Sequence, residues 1–225
     1  MAAALPVHVW TVGPDDRLNA DAGGLLSTDE RERAAGFVDP GIRARFIHRR
    51  AWLRIIIGAF LGTEPASLGF AQGAGGKPAL VSNEVAFNAS HSDDWTAVAI
   101  SAGPAVGIDI EHRRSITNAG DLARRFFQAQ EADALAEVPA GLRDDAFLAC
   151  WTRKEAVLKA DGRGMRAGLD TLMVGSDPLA PEGLKVMLAE RRFVVADVDL
   201  GEFLASAVAV EDAPFHVVAE PIPAF

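Results

Sequence analysis

Two carboxylates stand two residues apart in the run Val106-Gly107-Ile108-Asp109-Ile110-Glu111. The run alternates. Val106, Ile108 and Ile110 form one set and Gly107, Asp109 and Glu111 the other, the period of a strand. Residues two apart on a strand lie about 6.5 Å apart along it, so the two acids share one face. At an effective dielectric near 20, charges at that spacing repel by about 2.5 kcal/mol. A hard divalent cation would remove that repulsion, and paired carboxylates are its natural ligands. The plain alternative is a pair of acids on a solvated strand, screened by water.

A third acid belongs to a helical run over residues 142–160. There Trp151, Glu155 and Lys159 recur every four residues, and Phe147, Trp151, Lys154 and Leu158 share a flank. An ordinary Glu155–Lys159 pair would be worth only about 0.2–0.5 kcal/mol. The chemical reading is a carboxylate and an ammonium aimed into a cleft beside a tryptophan. The chain holds only four lysines, and Lys77, Lys154 and Lys159 all fall in the stretches singled out here. Lys77 ends the loop Gly73-Ala74-Gly75-Gly76, and Pro78 biases it toward an extended backbone that can aim it at an anion. The spacing fails as a P-loop, because Pro78 replaces the hydroxyl residue and no strand–loop–helix frame surrounds it.

The elements that must position these groups are legible in outline. Leu5–Val12 reads as a strand with Val7 and Val9 opposite His8 and Trp10. Ser27 and Glu30 form a capping-box pattern for a helix expected to stop near Pro40-Gly41. Residues 42–61 predict a long helix with an apolar stripe through Phe46, Leu53 and Ile57. Its Arg45, Arg49, Arg50 and Arg54 read either as a solvated face or as an anion-facing edge. Residues 66–70 suggest a short strand. Residues 85–92 read as a strand ending in Asn88, Ser90, His91 and Ser92, where the small polar groups would satisfy a turn. His91 would donate to a phosphate or support that turn. Trp95–Ser101 is a clean strand. The short connection at residues 102–105 predicts that the strand of Asp109 returns against it as a hairpin, which would bring His91 near the acids. Asp121 would cap a helix running through Arg124, Phe127, Glu131 and Leu135. Strands are expected at 169–174, 184–189, 191–198 and 203–210, with another at 215–219. The fold class is therefore α+β, in two similar halves divided as 1–103 and 104–225, with the site at their junction.

Composition narrows the function classes. A net charge of -9 disfavours nucleic acid as a partner, although arginines cluster locally. The single Cys150 excludes an intrachain disulfide and a cysteine zinc cluster. No apolar run of membrane-spanning length and no targeting signal opens the chain, so a cytoplasmic protein without a membrane partner is expected. No GxGxxG fingerprint points to a dinucleotide fold.

Taken together, five stretches resemble the 4'-phosphopantetheinyl transferases of the larger surfactin-synthetase type. They are Gly76-Lys77-Pro78; Phe87-Asn88-Ala89-Ser90-His91-Ser92; Gly107-Ile108-Asp109-Ile110-Glu111; Arg125-Phe126-Phe127 with Glu131; and Trp151-Thr152-Arg153-Lys154-Glu155-Ala156-Val157-Leu158-Lys159. Gly162-Arg163-Gly164 and Leu169-Asp170 follow in the same order. The resemblance implies two α+β halves in a pseudo-two-fold arrangement. It implies transfer of 4'-phosphopantetheine from coenzyme A to a serine of an apo acyl, polyketide or peptidyl carrier protein, with Mg2+. Asp109, Glu111 and Glu155 would hold the metal. Lys77, Ser90, His91, Lys154 and Lys159 would face coenzyme A, with Arg45 (or Arg49 or Arg50) at its nucleotide end. Glu155 is the implied base, and Glu131 would orient water or metal. Arg113, Arg124 and Arg125 would meet an acidic carrier surface. A monomer is expected. Two other functions use the same residues: a magnesium-dependent phosphoanhydride hydrolase, and a non-catalytic binding protein.

Overall fold

A computed structural model describes residues 4–18, 20–73, 76–163, 168–175, 177 and 183–224. Ten strands and five helices occupy the described residues. The first half contains β1 (Leu5–Val12), α1 (Thr28–Ala35), α2 (Pro40–Leu61), β2 (Phe70–Gln72), β3 (Pro78–Leu80), β4 (Ala86–Ser92) and β5 (Trp95–Ser101). There follow β6 (Val106–His112), α3 (Ala119–Phe126), α4 (Ala129–Glu137), α5 (Arg143–Asp161), β7 (Leu184–Leu188), β8 (Arg191–Asp197), β9 (Leu204–Glu211) and β10 (Phe215–Ala219). The α+β class expected from sequence is the one observed.

Two four-stranded sheets organise the chain, in the orders β10-β1-β5-β4 and β6-β9-β8-β7. Their alternation sorts the apolar residues into three cores. On β1 and β5, Trp10, Val12, Val98 and Ile100 meet Trp52, Leu53, Ile56 and Ile57 of α2. The opposite faces supply Val7, Val9, Ala97 and Ala99, which pack with Val106, Ile108, Ile110 and Val208 of the second sheet. The outer face of the second sheet packs against α5 through Ala205, Ala207 and Ala209. Each sheet thus carries one long helix outside, and the two sheets share a core between them.

The helix α5 comes unusually close to its sheet. A Cβ placed on Gly107 would sit 2.0 Å from the Ala156 carbonyl oxygen and 2.4 Å from the Ala160 nitrogen. Glycine at 107 and alanines on β9 are therefore what let the helix backbone rest on β6. Gly107, Asp109 and Glu111 share that face, as their spacing predicts.

Several expectations are corrected. Helix α1 stops at Ala35, and Pro40 opens α2 instead of ending α1: Asp39 caps it by accepting from Ile42 N at 2.9 Å. Proline lacks the amide that a first helical turn leaves unused anyway. Residues 65–67 form a 3-10 turn, and the short strand begins only at Phe70. The helix expected from Asp121 to Leu135 is two helices, broken at Phe127 and Gln128. The Glu131 carboxylate folds back to accept from Gln128 N at 3.1 Å and so starts α4 anew. Leu169–Thr171 is a 3-10 turn, because the Leu169 and Leu172 carbonyls accept from Lys154 and not from a neighbouring strand. β6 does not form a hairpin with β5, whose two edges are already taken by β1 and β4; it opens the second sheet instead, paired with β9. The last strand, β10, returns to the first sheet and runs parallel to β1.

Replacing Gly107 with alanine should force α5 off β6. Overpacking costs about 1–3 kcal/mol and occasionally more. A loss of about 3 kcal/mol in urea unfolding is expected, and an unchanged midpoint would contradict the close seat described here.

Candidate active site

The site forms where α5 crosses β6 and β4 lies alongside it. Asp109 is 4% exposed, and its Oδ1 accepts from Lys159 Nζ at 2.6 Å and from Ser90 Oγ at 2.9 Å. Lys159 also donates to Ser90 Oγ at 2.8 Å. The lysine thus reaches across from α5 to β6, and among the described residues no ion pair joins it to Glu155. Glu111 Oε2 accepts from Ser92 Oγ at 3.1 Å and from Arg114 at 3.2 Å.

The acids are electrostatically stressed. Burial raises the pKa of Asp109, and Glu111 adds to the rise, against Lys159 and Ser90. Burial also raises Glu155, followed by the charge of Asp109, with Lys159 opposing and Glu111 reinforcing. Asp109 Oδ2 is buried and has no hydrogen-bond partner among the described residues. An orphaned carboxylate oxygen beside two more acids is a donor set suited to a hard cation. The set is not gathered: among the described residues no three acidic, histidine or cysteine side chains stand in a ligating cluster.

Next to these acids lies a cleft of about 530 Å³, lined by Arg33, Arg45, Arg49, Arg50, Phe46, Leu53, Ser90 and His91 among others. That volume suits a small ligand. A second hollow of about 290 Å³ shares Arg45 and Arg49 and adds Arg17, His48 and Asp94. Ser90 is the joint between cleft and acids: it lines the first and bonds to Asp109 and Lys159. Arg49 donates to the Asp93 carbonyl at 2.6 Å, and burial, then the nearby Arg45, hold its pKa below the ordinary value despite Asp94. His91 is exposed at the rim. Partial packing of its ring is the first cause of its lowered pKa, and the charges of Arg49 and Lys159 add to it.

The remaining predicted groups divide. Asp109, Lys159 and Ser90 bond to one another, Glu111 and Glu155 are near enough for their charges to act on Asp109 and on each other, and His91 and Arg45 line the cleft with Ser90. Lys77 does not join them. It donates to the Val106 carbonyl at 2.8 Å, at the start of β6, and burial, then Arg191, lower its pKa to about 8. Lys154 corrects the expectation of a coenzyme contact. It is fully buried, paired with Glu131 at 2.6 Å and bonded to the Leu169 and Leu172 carbonyls, so its donors serve the core. Glu131 is likewise structural: its Oε1 accepts from Val174 N at 2.6 Å and Gly175 N at 3.0 Å. Arg54 is buried on Glu30 at 2.7 Å, neither solvated nor facing the cleft, and Arg50 also pairs with Glu30. Arg113 and Arg124 pair with Asp145 and Asp121, each at 2.5 Å, and Arg125 lies over the Phe126 ring. Of the loop after α5, Gly164 lies outside the described residues, as do Ala74 and Gly75 before Lys77. Sequence reasoning did not single out Arg33 of the cleft or Arg17 of the second hollow. It also read Asn88, Ser90 and Ser92 as turn residues, although their two-residue spacing marks one face of a strand.

Glu155 has a raised pKa from burial and neighbouring charge, so its ionised form works against folding at neutral pH. Glu155→Gln should therefore raise the melting temperature by ~2–4 °C, the shift for about 1 kcal/mol in a chain this size, while impairing function. A lower melting temperature would contradict the charge stress assigned to these acids.

Comparison with known proteins shows the family. Residues 105–195 match the family model described as the 4'-phosphopantetheinyl transferase superfamily. The chain is 36% identical over 186 residues to 4'-phosphopantetheinyl transferase HetI of Nostoc, covering 80% of this chain and 78% of the relative. It is 30% identical over 162 residues to 4'-phosphopantetheinyl transferase Sfp of Bacillus subtilis strain 168, covering 66% of this chain and 71% of the relative. A putative 4'-phosphopantetheinyl transferase of Synechocystis is 33% identical over 169 residues, covering 74% of this chain and 69% of the relative. At 36% identity over four fifths of the chain, the likeness to HetI shows that the chain belongs to the 4'-phosphopantetheinyl transferase family.

Proposed function

We propose that the chain moves the 4'-phosphopantetheine group of coenzyme A to a serine hydroxyl of an apo acyl, polyketide or peptidyl carrier protein, releasing adenosine 3',5'-bisphosphate. The observation that carries this reading is the joint at Ser90, where an arginine-lined cleft meets the buried Asp109 and its partner Lys159. Arg45 and Arg49, with His91 at the rim, bind the phosphorylated nucleotide end in the cleft. Asp109, Glu111 and Glu155 would hold Mg2+, which when bound neutralises charge on the pyrophosphate oxygens. Lys159 has three N–H donors and gives two to Ser90 and Asp109, leaving one for the anhydride. The carrier serine oxygen bonds to the β-phosphorus as the bond to the bridging oxygen breaks. Its proton passes to Glu155, the carboxylate that the family resemblance implies as the base. Positioning and electrostatics then do most of the work, as in phosphoryl transfer generally. Lys77 contributes from outside this cluster, by holding the start of β6.

The same reading covers the architecture: two units, 1–103 and 104–225, related by a pseudo-two-fold, with the return of β10 tying the second to the first. A monomer follows, because the junction that makes the site lies within one chain. Among the described residues no helix is long and apolar enough to cross a membrane.

Intact mass of apo acyl and apo peptidyl carrier proteins, after incubation with the protein, coenzyme A and magnesium, tests the function. One added phosphopantetheine is expected, abolished by EDTA and reduced at least 100-fold in Asp109→Ala, the scale for a group acting on the transition state. Cleaved coenzyme A with no mass gain would replace the transferase with a phosphoanhydride hydrolase. Intact coenzyme A with no gain on either carrier would leave the binding-protein reading.

A further inference from the structure

The two sheets meet edge to edge, β4 ending one and β6 beginning the other. No backbone ladder joins these edges. Instead three β6 amides donate to side chains of β4: Ile108 N to Asn88 Oδ1 at 2.9 Å, Ile110 N to Ser90 Oγ at 3.3 Å, and His112 N to Ser92 Oγ at 3.0 Å. The partners advance two residues at a time on both strands, so β4 and β6 run side by side in the same direction. Unpaired strand edges otherwise invite wrong pairing or leave buried amides unsatisfied.

Each serine does two things. Ser90 accepts from Ile110 N and donates to Asp109; Ser92 accepts from His112 N and donates to Glu111. Each hydroxyl thus holds one β6 amide and the carboxylate of the residue before it. At the first rung the residue before Ile108 is Gly107, which has no carboxylate to receive a proton. An amide carbonyl there suffices, and Asn88 supplies it.

We propose that Asn88, Ser90 and Ser92 form a side-chain clip that fixes the register of β4 against β6, and that Asn88 and Ser92 are positioning residues for the transfer. The clip sets the distance from the cleft side of the site, with His91 on β4, to the acids on β6. A misplacement of about 1 Å in such a site can cost 100-fold in rate. This role rests on the transferase reading; the clip itself does not.

Two measurements on the full chain separate them. Amide hydrogen exchange reads the clip. Ile108 should exchange about tenfold faster in Asn88→Leu, and His112 likewise in Ser92→Ala, since the lost partner frees the amide. Asn88→Ser should restore protection, because a hydroxyl serves at the other two rungs. Transfer kinetics read the positioning. Asn88→Leu and Ser92→Ala should lower kcat at least tenfold with the KM for coenzyme A within about twofold, and Asn88→Ser and Ser92→Thr should recover most of it. Unprotected Ile108 and His112 amides in the wild type would overturn the clip. Protected amides in a wild type that transfers nothing would overturn the transferase reading and the positioning role with it. A kcat per folded molecule unchanged by Asn88→Leu and Ser92→Ala would overturn the positioning role alone.

Discussion

Everything in the site depends on how closely α5 lies on β6. The helix backbone touches the strand where Gly107 offers no side chain, and Ala205, Ala207 and Ala209 keep the neighbouring surface low. That seat puts Glu155 and Lys159 over Asp109. A larger residue at 107 would lift the helix and open the Lys159–Asp109 bond, because an interior this dense transmits displacement instead of absorbing it. The motif glycine and the motif acids are thus one device: the first sets the distance at which the others act.

The same geometry carries an electrostatic cost. Burial works against the ionised forms of Asp109 and Glu155, the charges of neighbouring acids add to it, and one buried oxygen of Asp109 has no hydrogen-bond partner among the described residues. Opposite them, Arg45 and Arg49 crowd each other on α2. In the proposed reaction, the cost on the acid side and the cation repulsion on the other would be relieved together by a bound metal and a bound polyanion. Binding energy is then available to orient the anhydride and exclude water. Elsewhere, the buried cations Lys154, Arg54 and Arg153 are paired with Glu131, Glu30 and Asp197. The cations of these pairs are buried and partnered, so they serve the fold and not the site.

Much of this was legible in the sequence because period carries direction. The alternation at residues 106–111 placed both acids on one face, and the four-residue spacing of α5 placed Glu155 with Lys159. Lys154 was misassigned because adjacent helical residues point about 100° apart, and nothing in the local pattern says which flank meets the core. Pro40 was misread as a stop because proline serves helix starts as well as helix ends. The partner of β6 was misread because strand pairing is a long-range property: β5 had two better neighbours, and a short connection cannot reveal that. Asn88, Ser90 and Ser92 looked like turn formers because small polar residues usually are; their role emerges only when a second sheet edge arrives beside them.

A crystal structure of the protein with coenzyme A and manganese tests the central claim, that cleft and acids are one site, most directly. An anomalous manganese signal is expected among Asp109, Glu111 and Glu155, with the nucleotide end against Arg45 and Arg49 and the pyrophosphate between His91 and Lys159. Coenzyme A bound away from the arginine cleft, or manganese bound away from the three acids, would contradict it.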